Sequence, residues 1–470
     1  MILPLRGEKV DRGRIREVCQ PEPLQQRIED LLGVGQVRLS SVFDEDNIQE
    51  LCNELGLEYR ERVFTPAVTL GLFVSQTLSR DDACSTVVMK FNRERKRQGL
   101  PPVSTDASAY CKARSRLPLE MINTLQQRLV DLLEQKTLFE WKWEGQNVYL
   151  VDGLVLRAPD TEANQAVYPQ TSSQKPGLGF PQVRMIVVTS LATGAIVYYN
   201  TAAVAGKQTG EATLFRESHG KFKENSVFVG DSNLESFHDA ALIKNCNSDL
   251  VFCINASRTE PFDGECILLD EEIVTLKKPR FEKSRFEKRD WEALPNFITY
   301  RIIRYRVSGR NEVVTVVTTL LDSDRYTAES IAELFGLRWD VEIDICSYKS
   351  TMGLGELRGQ NPENLDREIA VGVLAHNLVR VVMNDSAEAI EVHPREISFS
   401  RGRDAWQNFG DELKTPHDLM WIILSTTSRL VRDRPGREEP RAIKRRQNKY
   451  PLLTKPRPSV QSRLDADDPP

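Results

Sequence analysis

The chain has 470 residues, of which 40% are hydrophobic and 28% charged, and its formal net charge is −5 at pH 7. This length exceeds what one hydrophobic core usually supports, so we expect about two to four domains. No apolar run approaches the length of a membrane-spanning helix, and the N-terminus lacks the apolar stretch of a signal peptide. These features exclude a membrane-spanning chain and indicate a cytoplasmic globular protein.

The cysteines and histidines do not suggest a disulfide framework or a zinc site. The eight cysteines include no CxxC pair, and the five histidines are scattered along the chain. We therefore expect reduced thiols.

Positive charge is concentrated in two segments despite the acidic total. Residues 429–463 carry twelve Lys and Arg against three Asp and Glu, and residues 90–97 carry five against one. Phosphate binding depends on such local clusters more than on net charge. A solvated basic face or a disordered tail explains either cluster equally well.

The first 140 residues have a helical pattern. Helices are predicted over 65–79, 81–97 and 104–117, the last with capping residues Ser104 and Thr105. Such a helical N-terminal domain could bind DNA or serve only as a packing module, and no recognition motif decides between these roles.

A different pattern begins near residue 141. Strands are predicted over 147–158, 183–191, 195–204, 225–231 and 249–255, and helices over 209–220 and 234–245. Three strands, helix, strand, helix, strand is the order of a ribonuclease-H-like α/β domain with a mixed sheet flanked by helices. A doubly wound fold would alternate strand and helix from its beginning.

A β-rich insertion then separates this core from two long helices. The predicted organisation is a helical N-terminal domain (1–140), the first part of the core (141–260), the insertion (261–324), the second part of the core (325–390) and a C-terminal helical region with a basic tail (391–470). The helices of the second part are predicted near 335–349 and 363–384.

The predicted helix over 335–349 has an unusual face. On a helical wheel of about 100° per residue, four residues fall within about 60° of one another. They are Phe335, Arg338, Glu342 and Lys349. The other two carboxylates of the segment, Asp340 and Asp344, fall on the opposite side. One carboxylate between two cations is a suitable arrangement for presenting a metal ligand to a phosphate.

Two further carboxylates could meet Glu342 in space. Asp152 is predicted to end the first strand and Asp231 the fourth, and these strands are neighbours in a ribonuclease-H-like sheet. Three grouped carboxylates repel one another unless cations neutralise them, and Mg²⁺ or Mn²⁺ suits such oxygen ligands. Two such ions roughly 3.5–4 Å apart support in-line phosphoryl displacement.

Each residue also has an ordinary structural explanation. Asp152 and Gly153 form a favoured hairpin-turn dipeptide. Asp231 precedes a possible capping box that starts at Ser232. Arg338 and Glu342 have the spacing of a surface salt bridge.

The combined pattern resembles a DDE transposase of the insertion-sequence type-four (IS-four) family. That family has a signature of Tyr, two residues, Arg, three residues, Glu, six residues and Lys, which Arg338, Glu342 and Lys349 match in spacing, with Phe335 in place of the tyrosine. The segments YLVDG around Asp152, QKPGLGFPQVRMIVVTSLATGAIV, KQTGEATLF and ENLDREIAVGVLAHNLVR also resemble the family.

The resemblance implies a site and partners. Asp152, Asp231 and Glu342 would hold two Mg²⁺, with Mn²⁺ as a substitute, while Arg338 and Lys349 would bind DNA phosphates. The partners would be double-stranded DNA, both the inverted-repeat ends and the target, and a second copy in a homodimer, so the protein would associate with the nucleoid. Hairpin formation at the transposon end is a frequent route in the family.

Two departures from the family pattern leave an alternative open. Phe335 lacks the tyrosine hydroxyl, and Ser232 follows the second aspartate where many members carry Arg. A catalytically inactive, transposase-derived DNA-binding protein or repressor is the alternative, and an RNA-cleaving ribonuclease is a third hypothesis.

Overall fold

The computed structural model describes residues 45–59, 62–79, 83–175, 177–254, 266–281, 288–308 and 311–409. The basic segment 429–463 and the rest of the predicted C-terminal tail lie outside the described residues. No helix among those ranges is both long enough and apolar enough to cross a membrane.

The described part of the N-terminal region is helical, as predicted. Its helices are α1 (Glu45–Glu54), α2 (Pro66–Leu78), α3 (Cys84–Arg97), α4 (Ser108–Arg114) and α5 (Leu119–Gln135). The Thr65 hydroxyl caps α2 by accepting from the Val68 amide, and Pro66 occupies the first turn, where its missing N–H costs nothing.

The predicted cap of α4 is wrong. This helix begins at Ser108 without a side-chain cap, and the Ser104 hydroxyl instead accepts from the Asp106 amide at 3.2 Å in the preceding turn. The local Ser–Asp hydrogen bonds compete with helix formation and delay its start.

Eight strands form one mixed sheet among the described residues. They are β1 (Asn147–Arg157), β2 (Gln182–Ser190), β3 (Ile196–Ala203), β4 (Ser226–Gly230), β5 (Asp249–Cys253), β6 (Cys266–Lys277), β7 (Phe297–Val307) and β8 (Val313–Thr318). Their spatial order is β3-β2-β1-β4-β5-β8-β7-β6. β-branched residues dominate β8 and much of β2, as expected of buried strands.

The first five strands have the predicted ribonuclease-H-like topology. β1, β2 and β3 form an antiparallel meander, and β4 and β5 follow β1 in parallel. The predicted β-rich insertion extends this same sheet, because β8 pairs antiparallel with β5 and carries β7 and β6 outward. The fold class is confirmed.

Helices cover both faces of the sheet. Between the strands lie α6 (Glu162–Val167), α7 (Glu211–Arg216), α8 (Phe237–Asn245) and α9 (Lys288–Ala293), and after β8 come α10 (Ala328–Gly336), α11 (Trp339–Cys346), α12 (Pro362–Ala389) and α13 (Phe399–Phe409). Two of these helices, α7 and α8, start later or end earlier than predicted. The long predicted helix over 363–384 is confirmed as α12, capped by the Asn361 side chain.

Two hydrophobic clusters lie on opposite faces of the sheet. The larger cluster joins buried side chains of α2, α5 and α12 to the strand residues Leu150 and Leu154. The smaller cluster joins α7 and α8 to Tyr149 and Val151 on the other face. The N-terminal helices are therefore part of the larger core. Together, α5 and α12 cover the face of the sheet on which Asp152 lies.

Candidate active site

Asp152 lies inside a strand and not at its end. β1 continues through Asp152 and Gly153, which pair with Val187 and Ile186 of β2. The antiparallel ladder to β2 outweighs the local turn preference of Asp-Gly, so the hairpin explanation is excluded and the predicted strand end is wrong. The parallel ladder from β1 to β4 does end nearby, with Leu150 opposite Val229.

Asp231 directly follows β4, one residue beyond the observed end of the strand that it was predicted to end. The last pair of the β1–β4 ladder, Leu150 and Val229, lies two residues before Asp152 and Asp231. Adjacent strands lie about 4.8 Å apart, and in-register residues of parallel strands project to the same face. Asp231 thus lies just beyond the end of the strand next to β1, and its charge raises the pKa of the Asp152 carboxyl.

The capping explanation for Asp231 does not hold. Helix α8 begins at Phe237 and is capped by Ser236, whose hydroxyl accepts from the Asp239 amide at 3.0 Å. Asp231 instead accepts from the Asn233 amide at 2.9 Å and from the Asn233 side chain at 3.1 Å. These bonds orient its carboxylate in the loop after β4.

The electrostatics of Asp152 reflect its charged neighbours. Burial raises the pKa of its carboxyl to about 6, the Gly153 amide and Arg338 lower it, and Asp231 and Glu342 raise it. The Gly153 amide is the donor, at 2.7 Å. Asp152 therefore interacts with both other predicted carboxylates and with the predicted arginine.

Glu342 and Arg338 are positioned by α11. The Arg338 Nη2 and Glu342 Oε1 atoms are 3.5 Å apart, and the side chains are 11% and 41% exposed respectively. Arg338 also lies over the Trp339 ring, with its guanidinium carbon 5.1 Å from the centroid. Burial raises the pKa of Glu342, while Arg338 lowers it. Since Arg338 is buried, this pair is not an ordinary surface salt bridge.

The predicted single helix over 335–349 is wrong. Phe335 belongs to α10, the chain turns at Leu337, and Lys349 lies in a π-helical turn, Ser347–Thr351. A π turn has a smaller angular step per residue than an α-helix, so the wheel position of Lys349 does not apply. The wheel correctly separates Glu342 from Asp344, because both lie within α11.

Phe335 is a core residue. It is 4% exposed and belongs to the larger hydrophobic cluster, with the Arg338 guanidinium carbon 5.9 Å from its ring centroid. The ring therefore supports Arg338 by packing, and this role needs no hydroxyl.

The face of α11 opposite Glu342 is fixed by a buried ion network. Asp344 accepts from Arg380 at 2.5 Å and from two Arg395 nitrogens at 3.2 and 3.1 Å. Arg395 also donates to the carbonyls of Ser190 and Leu191 at the end of β2. Burial opposes the charge of Arg395, but Asp344 and Asp340 outweigh it and raise the pKa of the guanidinium. This network ties the glutamate helix to the sheet.

Sequence reasoning missed a fourth carboxylate, Glu211 at the start of α7. A Cβ built on Gly153 would lie 2.3 Å from the Glu211 carboxyl carbon, so the glycine makes room for this side chain. Burial raises the pKa of Glu211, Arg184 lowers it, and Asp231 raises it. The segment KQTGEATLF offered no stronger indication than a helix start after Gly210.

The predicted site residues have carboxylate oxygens, which are the kind of ligand that a divalent metal ion prefers. Asp152, Asp231 and Glu342 supply only oxygen ligands, which suit Mg²⁺ and Mn²⁺, and the raised pKa of Asp152 reflects burial and neighbouring negative charge that a cation would offset. Among the described residues, no three His, Cys, Asp or Glu side chains are gathered closely enough to hold a metal ion.

Fold and site together define a class. A ribonuclease-H-like sheet with interacting carboxylates and adjacent cations is typical of proteins that transfer phosphoryl groups in nucleic acids. Residues 143–378, half of the chain, match the family described as Transposase DDE domain, and the chain belongs to this family. The matched range contains every residue of the predicted site.

A relative in sequence agrees with this assignment. The chain is 26% identical over 367 residues to the transposase InsG for insertion sequence element IS4 of Escherichia coli (strain K12), covering 75% of this chain and 80% of the relative. The predicted resemblance to the type-four family is thus confirmed, and the function of this chain is transposition. A solved structure of the piggyBac transposase synaptic complex with hairpin DNA overlaps 85% of this chain and 86% of its own, at 12% identity and a TM-score of 0.37.

Proposed function

We propose that the protein catalyses metal-dependent cleavage and strand transfer of DNA at the inverted-repeat ends of an insertion sequence. The observation that supports this proposal is the parallel β1–β4 ladder within the matched family region, because its last pair, Leu150 and Val229, lies two residues before Asp152 and Asp231. The influence of Glu342 and Arg338 on the Asp152 carboxyl supports the same grouping.

Asp152, Asp231 and Glu342 would hold two Mg²⁺ ions, with Mn²⁺ able to substitute. When bound, such ions activate a water or a 3′-hydroxyl and stabilise the leaving oxygen of an in-line displacement. The side chains themselves would provide the negative charge, and β1, the loop after β4 and α11 would orient them. Water would attack first, and the freed 3′-hydroxyl would then attack the other strand or the target.

Arg338 and Lys349 would bind the DNA backbone near the cut. Arg338 is held between the Phe335 and Trp339 rings and Glu342, so its guanidinium is pre-oriented with donors to spare for a phosphate. Lys349 is half-buried in the π turn. These contacts would position the strand without reading its sequence.

The helical N-terminal region would bind the ends of the element. Four exposed cations lie on one side of α3: Lys90, Arg93, Lys96 and Arg97. A helix with clustered exposed cations is suited to the DNA backbone. Two inverted ends are related by a two-fold axis, so a homodimer would place one active site at each end.

A cleavage assay tests this proposal. The substrate is a duplex containing the sequences that flank the coding region, and the control duplex has the same composition in scrambled order. We expect nicks at the ends of the element with Mg²⁺ or Mn²⁺ and none with a chelator. Binding to the end duplex without nicking in either metal would contradict the proposal and favour the inactive repressor.

A further inference from the structure

The inner face of α11 is buried mainly through charged side chains. The buried residues of this helix, which the structure describes in full, are Asp340, Val341 and Asp344. Glu342 lies on the opposite side and is 41% exposed. A helix of eight residues gains little stability from its own backbone, so its contacts with the rest of the protein decide where it lies. Because two of its three buried side chains are carboxylates, these contacts are largely ionic.

Arg395 joins both carboxylates to the sheet. It is buried in the turn after α12, and its guanidinium donates to the carbonyls of Leu191 at 2.6 Å and Ser190 at 2.9 Å, where β2 ends. The same guanidinium donates to the two oxygens of Asp344 at 3.2 and 3.1 Å. Its Nε lies 3.6 Å from the Asp340 carboxylate. One planar group therefore holds α11 against the end of β2.

We propose that Arg395 is a positioning residue for Glu342 and acts on it through α11. The strand that Arg395 contacts, β2, pairs with β1, where Val187 lies opposite Asp152. The guanidinium thus sets the helix of one proposed metal ligand against the strand pair that carries another. The inference rests on the proposed function, and it adds a residue that lies outside the matched family region, 143–378.

The length of the glutamate side chain makes its position sensitive to small movements of the helix. Side-chain tips lie about 5–6 Å from a helix axis, so a rotation of about 10° moves the Glu342 carboxylate by roughly 1 Å. A misplacement of about 1 Å can slow a reaction about 100-fold, and residues that orient metal ligands typically contribute about 10–100-fold to metal affinity. Lysine keeps the charge of Arg395 but lacks the planar fork of donors. Arg395→Lys should therefore loosen α11 without removing a charge.

The test is a double-mutant cycle in the full chain, read out as Mn²⁺ affinity by calorimetry without DNA. We expect Arg395→Lys to weaken Mn²⁺ binding about tenfold or more. It should have no further effect when Glu342→Gln is already present, because the arginine acts through that side chain. Binding of the end duplex without divalent ions should be unchanged, while single-turnover cleavage with Mg²⁺ should be about 100-fold slower.

Arg301→Lys is the matched control. Arg301 is also buried, at 1% exposed, with its Nε 2.6 Å from a Glu271 oxygen and another nitrogen donating to the Tyr326 carbonyl. It lies on β7, within the predicted insertion and away from α11. Arg301→Lys should therefore lower the melting temperature, as Arg395→Lys does, but leave the Mn²⁺ affinity at its wild-type value.

A second variant covers the case in which Arg395→Lys does not fold. Arg380→Lys tests the same network from the other side of Asp344, to which Arg380 donates at 2.5 Å, and the same result is expected. Wild-type Mn²⁺ affinity in the tested variant, or an equal loss with and without Glu342→Gln, would overturn the inference. Wild-type Mn²⁺ affinity in Glu342→Gln alone would instead refute the proposed metal site, so the two failures are distinguishable.

Discussion

The ion network behind α11 makes Asp344→Asn the most informative stability variant. The Asp344 side chain is 1% exposed and faces Arg380 and Arg395, which are 3% and 5% exposed. The substitution keeps the size of the side chain but removes the charge, and it turns amide hydrogens toward guanidinium donors. Removing one partner of a buried ion pair costs about 3–5 kcal/mol, because the remaining charge stays buried.

This loss is large relative to a typical total stability of about 5–15 kcal/mol. At about 2–4 °C per kcal/mol for domains of 150–250 residues, the melting temperature should fall by roughly 6–20 °C. Urea unfolding should show a lower midpoint with an unchanged slope, as expected when only stability changes.

The matched control is Glu54→Gln, which breaks an exposed pair with Arg128 at 2.6 Å, 49% and 36% exposed. Exposed pairs contribute about 0.2–1 kcal/mol, so this variant should melt within a few degrees of wild type. Equal, small losses for Asp344→Asn and Glu54→Gln would refute the reasoning that the network anchors α11.

Three further predictions concern the site itself. Gly153→Ala should destabilise the protein by about 1–3 kcal/mol, because the added Cβ would meet the Glu211 carboxyl. Adding Glu211→Ala to this variant should recover most of the lost stability in a thermal melt. A double variant that melts no higher than Gly153→Ala would show that the two residues are not in contact. A metal ligand must be deprotonated, and burial raises the pKa of Asp152 to about 6. The affinity for Mn²⁺, measured by calorimetry, should therefore fall about tenfold per pH unit below pH 6. An affinity that stays constant from pH 7 to pH 5 would contradict this prediction. The carboxyl of Asp152 binds its proton more tightly in the folded protein than in the unfolded chain. As the pH falls from about 6 toward 4, protonation of Asp152 should therefore increase the free energy of unfolding of the metal-free protein. Urea titrations of Asp152→Asn should not show this increase.

The order of elements was predictable because hydrophobic periodicity is a local property. The strand–helix order of the core and the helix over 363–384 both followed from runs of apolar residues at the appropriate period. Turn chemistry was less reliable. Asp152-Gly153 favours a turn locally, but pairing with Val187 and Ile186 keeps it in a strand, and that pairing is a tertiary contact.

The sequence proposes the residues of the candidate site but does not indicate the contacts that support them. Asp152, Asp231 and Glu342 could be chosen from strand order and the spacing around Arg338. The continuation of the sheet through β8 depends on a pairing of Val251 with Thr318, which are far apart in sequence. The Asp344–Arg395 contact spans 51 residues, and no local pattern indicates it. The π turn at Lys349 likewise depends on packing that a helical wheel ignores.

The central claim is that Glu342 completes a catalytic carboxylate group with Asp152 and Asp231. Single-turnover cleavage of the end duplex with Mg²⁺ tests it most directly, comparing wild type with Glu342→Gln, Glu342→Asp and the exposed control Glu333→Gln on α10. We predict that Glu342→Gln binds the duplex but cleaves on the order of 10²–10³ times more slowly, that Glu342→Asp is also severely impaired, and that Glu333→Gln cleaves like wild type. Cleavage by Glu342→Gln at the wild-type rate would contradict the account.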